Sequence, residues 1–275
     1  GAITPAGKPL SIGGTGISSA GALIYTGTSG WGGAVALTAD TLFAGTGTCA
    51  VTGALSGAFN LTKQGTGTLT LNGDSAGYAG TIAFTDGSSG KIVAGHNNAL
   101  GTAAGLTVIS GDILELASAS IPTGKTLTIA GNGGGATVGA LRFTGAGCGW
   151  AGPVTLSAAT TIGGTGAGTS SGVVGGAFDL TKCNAGTLTL SGDNSGYANA
   201  ISFVDGSSGR IVAAHNIALG TAASFTVTSG DTLELNGASI TGKTLTLSGT
   251  GDAATGALLA TGATDSWSGN VTLGA

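Results

Sequence analysis

Charge is scarce in this sequence. Only eight of its 275 residues are Lys or Arg and twelve are Asp or Glu, a charged share of 7% where an ordinary soluble domain has about 25%. The eight basic residues lie far apart, and the net charge is −4. Because nucleic acids are bound by clustered Lys and Arg, this shortage argues against a nucleic-acid partner.

Long apolar runs and methionine are missing as well. No run approaches the roughly 20 apolar residues that a membrane-spanning helix needs, so we expect no membrane insertion by this segment. The opening stretch GAITPAGKPLSIGG lacks the charged and apolar regions of a signal peptide. Since the chain contains no Met, we interpret it as a mature form or as a segment of a longer protein.

Glycine, by contrast, is abundant, with 57 residues. It shows no three-residue period, which excludes a collagen helix. Hydrophobic residues make up 41% of the chain, and this content combined with low charge argues against disorder. The composition therefore predicts a turn-rich, all-β protein.

The sequence repeats itself at an interval of 119 residues. Residues 58–116 align with residues 177–235 without a gap, with 41 identities in 59 positions. The similarity extends into the flanking segments, so we divide the chain into three parts. Residues 1–57 are the C-terminal part of one copy, residues 58–176 are a complete copy, and residues 177–275 are most of a further copy.

Short alternating segments within each copy indicate strands. In TLTL at Thr68–Leu71 apolar and polar residues alternate, the period of a strand with one buried face. No helical period is sustained. Short strands and tight turns in tandem copies predict a parallel β-helix, or β-solenoid, in which coils stack on a continuous core. With about 24 residues per coil and about 4.8 Å between coils, a 119-residue repeat makes about five coils, related to the next copy by translation along one axis.

The outward positions of these strands are mostly Thr and almost without charge. A flat sheet surface without Lys or Glu is prone to pair with other strands, so we expect lateral self-association of the rods. Both termini fall inside the repeat phrase, and solenoids normally carry caps at their ends. We therefore expect that further copies continue the chain or that subunits stack end to end.

Five aromatic residues anchor a shorter phrase within the copies. Each stands four residues before the β-branched residue that opens a strand, as Trp31 does before Val35. We predict that they occupy one equivalent site and pack against the following turn. The alternative is a surface row of tryptophans that binds a ligand. The five are Trp31, Tyr78, Trp150, Tyr197 and Trp267.

Three cysteines stand at irregular spacing, at Cys49, Cys148 and Cys183. They form no CxxC pattern, and none is beside a His, so they do not predict a metal site. Three interpretations stay open: small buried hydrophobic residues, a single disulfide, and thiols that bond to a neighbouring chain.

The acids and histidines are the candidates for catalysis. Parallel β-helices host polysaccharide-cleaving enzymes, which need convergent carboxylates. Here each candidate occurs at the equivalent position of both copies, whereas an active site is normally unique along a solenoid. Asp before Gly is also a turn residue by its own physics. We therefore predict no catalysis, no cofactor and no metal. The candidates are Asp86, Asp205, Asp112, Glu115, Asp231, Glu234, His96 and His215.

Two stretches resemble a known family. Leu61–Ile82 reads LTKQGTGTLTLNGDSAGYAGTI and is followed by GHNNALG, and Leu180–Ile201 reads LTKCNAGTLTLSGDNSGYANAI and is followed by AHNIALG. These phrases are similar to the autotransporter passenger-associated β-strand repeat. The resemblance extends from Leu61 to Gly101 in one copy and from Leu180 to Gly220 in the next, and it implies a right-handed β-helix on a bacterial cell surface. Family copies usually carry more Asn and Thr near the aromatic residue.

These observations leave three functional hypotheses. The first is a structural segment of an extracellular surface rod, fibre or filament that associates with itself. The second is an adhesin whose exposed face binds host or matrix glycans. The third is a polysaccharide-cleaving enzyme. We favour the structural hypothesis.

Overall fold

The computed structural model describes residues 5, 7–204, 206 and 208–274. Within them the chain is built from thirty strands, most of them short, and two single-turn 3₁₀ helices, Ile17–Ser19 and Asp252–Ala254. The first ten strands are β1 (Leu10–Gly14), β2 (Leu23–Tyr25), β3 (Thr28–Trp31), β4 (Val35–Gly45), β5 (Thr48–Val51), β6 (Leu55–Ser56), β7 (Leu61–Gln64), β8 (Thr68–Leu71), β9 (Ile82–Phe84) and β10 (Lys91–Ala94).

The remaining strands continue the same pattern. They are β11 (Gly105–Val108), β12 (Ile113–Leu116), β13 (Ser120–Ile121), β14 (Thr126–Gly131), β15 (Leu141–Phe143), β16 (Cys148–Trp150), β17 (Val154–Gly163), β18 (Ala167–Ser170), β19 (Val174–Gly176) and β20 (Leu180–Lys182). The last ten are β21 (Thr187–Leu190), β22 (Ile201–Phe203), β23 (Arg210–Ala213), β24 (Ser224–Val227), β25 (Thr232–Leu235), β26 (Ser239–Ile240), β27 (Thr244–Leu247), β28 (Leu258–Ala260), β29 (Ser266–Trp267) and β30 (Val271–Leu273).

Strands pair in parallel with the strand one coil further along the chain. Thr48 of β5 pairs with Thr68 of β8, and Thr68 pairs in turn with Lys91 of β10. Leu127 and Val154 pair in the same way across a longer coil. The result is a parallel β-solenoid of about 12 turns. The prediction of an all-β parallel solenoid is thus confirmed.

The core runs through the interior of the stack. In β8 the side chains of Leu69 and Leu71 are buried, whereas Thr68 and Thr70 lie at the outer surface. The same alternation in neighbouring coils joins the inward residues into one contiguous cluster that extends from Tyr25 to Ala257. Apolar burial of this kind stabilises a fold by about 25 cal/mol per Å², so each coil depends on its neighbours for its core.

The copies are related differently from the simple translation that the sequence suggested. The stacking ladder that starts at Leu61 passes through five further coils and arrives at Val174. The repeat-equivalent residue, Leu180, lies further along the chain and pairs with Thr160 and Ile201. Since each coil has three faces, each copy is rotated by about one face relative to the preceding one.

Two long strands, β4 and β17, bend from one face of the solenoid to the next. Each carries a register shift at the bend, opposite Ile12–Gly14 in β4 and opposite Ile129–Gly131 in β17. Such bulges bend a strand and strengthen its local twist. A groove lies beside each of these bends.

Candidate functional site

The two anchor tyrosines are fully buried in turns. Tyr78 makes an isolated bridge with Gly57, and its hydroxyl donates to Phe59 O at 2.8 Å or Thr81 O at 3.0 Å. Tyr197 repeats this arrangement with Phe178 O at 2.6 Å. Burial raises the pKa of both hydroxyls. Each tyrosine therefore links its turn to the preceding coil through a hydrogen bond.

The three tryptophans stand at the ends of short strands, whereas the two tyrosines lie in turns. Trp150 is fully buried, whereas Trp31 and Trp267 are half-buried. The indole nitrogen of Trp31 donates to Lys8 O at 2.8 Å. The corresponding nitrogens of Trp150 and Trp267 are buried without a hydrogen-bond partner in the described part of the chain.

A glycine stands two residues after four of the five anchor aromatics, and steric crowding explains its presence. A Cβ atom on Gly80 would lie 1.8 Å from Phe59 O, and one on Gly33 would lie 1.9 Å from Lys8 O. These are the same carbonyls that accept from Tyr78 and Trp31. Only glycine permits this close approach of the backbone to the preceding coil. The aromatic-x-Gly phrase is thus a unit that docks one coil on another.

A surface row of tryptophans is not formed. The ladder through Trp31 continues over Val51, Leu71, Ala94 and Leu116 to Phe143. Trp150 lies beyond Phe143 in the chain, on another face, because of the rotation between copies. This geometry supports a packing role for the anchor aromatics.

Among the described residues the three cysteines form no disulfide bond with one another, and all three side chains are buried. Cys49 and Cys148 belong to the contiguous core, and burial raises the pKa of the Cys49 thiol. Cys183 contacts the side-chain oxygen of Asn184 at 3.4 Å. These positions agree with the interpretation as small buried residues, while a bond to a neighbouring chain stays a prediction.

The carboxylates serve structural hydrogen bonds. Asp86 accepts from the Gly65 amide at 2.7 Å and from the Ser88 hydroxyl at 2.9 Å, as expected for a turn residue. Asp205, its counterpart in the second copy, lies outside the described residues.

The two glutamates belong to ion-pair clusters at the surface. Glu115 contacts Lys91 at 3.0 Å and Arg142 at 3.5 Å. In the second copy Arg210 bridges Glu234 at 2.8 Å and Asp252 at 2.7 Å. Every carboxylate of these clusters thus has a cationic partner.

The sequence analysis did not predict a buried amine and a buried carboxyl group that lie near each other. Lys63 is buried in the interior, and its amine donates to Gln64 O and Gly65 O. Asp112, also buried, accepts from the Gly90 amide at 2.8 Å. Burial lowers the pKa of Lys63 and raises that of Asp112, although each partly offsets the effect on the other.

The second copy repeats the same pair. Lys182 donates to Cys183 O at 2.6 Å and Asn184 O at 2.5 Å, and Asp231 accepts from the Gly209 amide at 2.8 Å. The signal in the sequence was a lysine at an inward position of the alternating phrase LTK.

Both histidines lie at turns and make local hydrogen bonds. Nδ1 of His96 accepts from the Asn98 amide at 3.1 Å, and Nδ1 of His215 accepts from the Ile217 amide at 3.2 Å. Among the described residues no group of three or more His, Cys, Asp or Glu side chains is arranged to hold a metal ion. The same residues contain no helix long and apolar enough to cross a membrane.

Comparison with known proteins supports the resemblance seen in the sequence. Residues 61–88 and 180–206 match a family model described as Passenger-associated-transport-repeat. The chain therefore carries two copies of this repeat, which is a repeat of secreted or surface-exposed passengers. Neither the curated proteins nor the solved structures gave a match.

Proposed function

We propose that this chain is a structural segment of a bacterial extracellular surface rod, fibre or filament, and that it performs no catalysis. The observation that carries the proposal is the single uninterrupted core through about 12 stacked coils. Such a stack supplies length and stiffness, because each coil is held by contacts with both neighbours. The two passenger-associated repeats support a position outside the cell.

The uncharged outer face favours lateral self-association. One outward column consists of Thr62, Ala83, Thr107, Thr128 and Thr155, so it lacks the charged side chains that normally prevent sheets from pairing. Thr107 and Thr155 are exposed. A second rod meets no electrostatic barrier on this column.

Sedimentation velocity combined with electron microscopy tests the proposal on residues 1–275. We expect elongated particles that associate as concentration rises. The double variant Thr107→Lys with Thr155→Lys places two like charges on the column and should reduce lateral association. Thr52→Lys, at an exposed position of another turn, is the matched control and should leave it unchanged. A soluble monomer at high concentration, or globular particles in micrographs, would contradict the proposal.

The enzyme hypothesis receives no support from the arrangement of the acids. Asp86 caps a turn, Asp112 is buried, and Glu115 is held by two cations. Glycoside hydrolysis needs two carboxyl groups that face one open site. A glycan-binding function would have to use a surface other than the tryptophan row.

A further inference from the structure

One groove of the solenoid has the features of a ligand site. It lies beside the bend of β4, where the register shifts, and its volume is about 340 Å³. That volume falls at the lower end of the range for small-molecule sites. Its lining residues are Thr15, Ser19, Asp40, Thr41, Leu42, Thr62, Gln64 and Thr85; this set is called the β4 groove below.

The floor of the β4 groove consists of two neighbouring outward columns of the sheet. Leu42 pairs with Thr62 across adjacent coils, and Gln64 follows in the second column. The wall is the loop that holds the 3₁₀ turn Ile17–Ser19, and a bond from the Gly21 amide to Thr15 O at 2.8 Å closes this loop. The groove thus has a fixed sheet on one side and a closed loop on the other.

Several polar groups in the β4 groove are free to bind. Within the described part of the chain, the side chains of Thr15, Ser19, Thr62 and Gln64 make no hydrogen bond to protein. They offer three hydroxyl groups and one amide, which both donate and accept. The methyl groups of the threonines and the side chain of Leu42 supply apolar contact area between them.

Charge and strand pairing argue against three other classes of ligand: an anion, a hard cation and an extended peptide. Among the described residues no Lys or Arg lines the groove, which argues against an anion. Asp40 is its only carboxylate, and both oxygens accept from Asn60, at 2.8 Å from the amide and 3.4 Å from the side chain. A hard cation needs six or more oxygen ligands. The floor strand β7 pairs on both sides, so it offers no free edge to an extended peptide.

We propose that the β4 groove binds a segment of a neutral polysaccharide. Sugar hydroxyl groups match the free hydroxyls and amide, and the apolar faces of sugar rings match the threonine methyl groups and Leu42. This proposal goes beyond the rod function, because it concerns one groove, which shares only Thr62 with the outward column named above.

The groove beside the other long strand, β17, provides a built-in comparison. The groove beside β17 has a similar volume, about 350 Å³, and includes Thr161, Thr181 and Asp179. Here the hydroxyls of Thr161 and Thr181 bond to each other at 2.8 Å. The position of Gln64 is taken by Cys183, whose side chain is buried. Relative to the β4 groove, whose counterparts are Leu42 and Thr62, this groove has lost the amide and one free hydroxyl, and we expect weaker binding there.

Affinity electrophoresis of residues 1–275 tests the proposal with three polymers: dextran and hydroxyethyl cellulose, which are neutral, and alginate, which is anionic. We expect at least one neutral polymer to retard the protein and alginate to have no effect. Thr62→Val combined with Gln64→Ala should weaken the retardation at least fivefold. Thr181→Val in the β17 groove is the matched control and should leave it within twofold of the unaltered protein.

Far-UV circular dichroism shows whether each variant is still folded. If the double variant loses its β-sheet spectrum, the single variant Gln64→Glu replaces it, since it keeps the size of the side chain and adds a charge beside Asp40. The proposal is overturned if neither neutral polymer retards the protein, if only alginate does, or if folded β4-groove variants are retarded as strongly as the unaltered protein.

Discussion

The two aligned stretches, residues 58–116 and 177–235, differ at 18 of 59 positions, and the interior and the surface tolerate those differences in separate ways. At the surface the cluster of Lys91, Glu115 and Arg142 carries one net positive charge. The corresponding cluster of the second copy, Arg210 with Glu234 and Asp252, carries one net negative charge. The aligned pair keeps its charges, since Lys91 and Glu115 correspond to Arg210 and Glu234. The net charge changes sign through the third member, Arg142 or Asp252, which lies outside the aligned stretches.

Where a buried polar side chain differs between the two stretches, the new side chain makes the same contact with the backbone. Ser75 is buried, and its hydroxyl accepts from the Leu55 amide at 3.0 Å. At the same position Asn194 accepts from the Val174 amide at 2.7 Å and also donates to Ala218 O at 2.6 Å. A different side chain therefore satisfies the same backbone group of the coil below, as a buried amide requires.

Apolar exchanges in the core follow the same rule. Leu106 of the first copy is replaced by Phe225, which packs edge to face on Phe203 with 6.1 Å between the ring centres. Both residues are buried. The comparison shows that stacking of coils constrains the interior, whereas the third member of the ion-pair cluster differs between the copies. The following variants test that difference, beginning with the largest expected effect.

Trp150→Ala should cost the most, about 3–5 kcal/mol of unfolding free energy, because it empties a fully buried site. Trp31→Ala, at a half-buried position, is the matched control and should cost clearly less. Urea denaturation followed by circular dichroism measures both. Equal, small losses for the two variants would show that Trp150 is not a packing residue.

Lys125→Met should stabilise the protein at neutral pH by about 1–3 kcal/mol. Burial lowers the pKa of Lys125 to about 8, and within the described residues its amine donates only to Ala103 O, at 2.6 Å. Between pH 8 and the ordinary lysine pKa of about 10.4, the unfolded chain binds more protons than the native one, so unfolding free energy rises with pH.

Lys125→Met should lack this rise of the unfolding free energy with pH. Denaturation at a series of pH values measures the difference. Lys8→Met is its control, since Lys8 has the same place in the phrase but is exposed. An unchanged pH profile in Lys125→Met would contradict the assignment.

Asn194→Ala should lower the unfolding free energy by about 1–3 kcal/mol, because it leaves the Val174 amide and Ala218 O buried without their partner. Asn194→Ser copies the residue of the first copy and should cost less than the alanine variant. Thermal denaturation ranks the pair. If serine costs as much as alanine, the two copies do not cap their coils in the same way.

Asp86→Asn should have the smallest effect, below about 1 kcal/mol, since an amide oxygen replaces the acceptor that holds the Gly65 amide. Assays on a panel of polysaccharides accompany the stability measurement. A cleaving activity that disappears in this variant would revive the enzyme hypothesis.

Much of the fold follows from local pattern. The alternation at Leu69 and Leu71, together with frequent turns, sufficed to predict a parallel solenoid. The rotation between copies could not be predicted, because it accumulates from coils of unequal length, such as the short one that ends at Thr68 and the longer one that ends at Val154. Where each turn places the next strand depends on contacts between coils.

The sites were less accessible to sequence reasoning. Burial of Tyr78 and Trp150 agrees with the packing interpretation. The sequence could not show that one carbonyl of the preceding coil both accepts from the aromatic side chain and closely approaches the glycine. The inward lysine at Lys63 was visible as a break in the apolar alternation. Its carboxyl neighbour Asp112 could not be assigned, since two coils of chain separate it from Lys63.

Parallel stacking of coils underlies both the core and the proposed rod, and nuclear Overhauser contacts in an isotope-labelled sample measure it directly. We predict contacts between residues one coil apart, such as Thr48 with Thr68 and Thr169 with Thr189. Close Hα–Hα contacts between Leu61–Gln64 and Thr68–Leu71, as in an antiparallel hairpin, would contradict the solenoid.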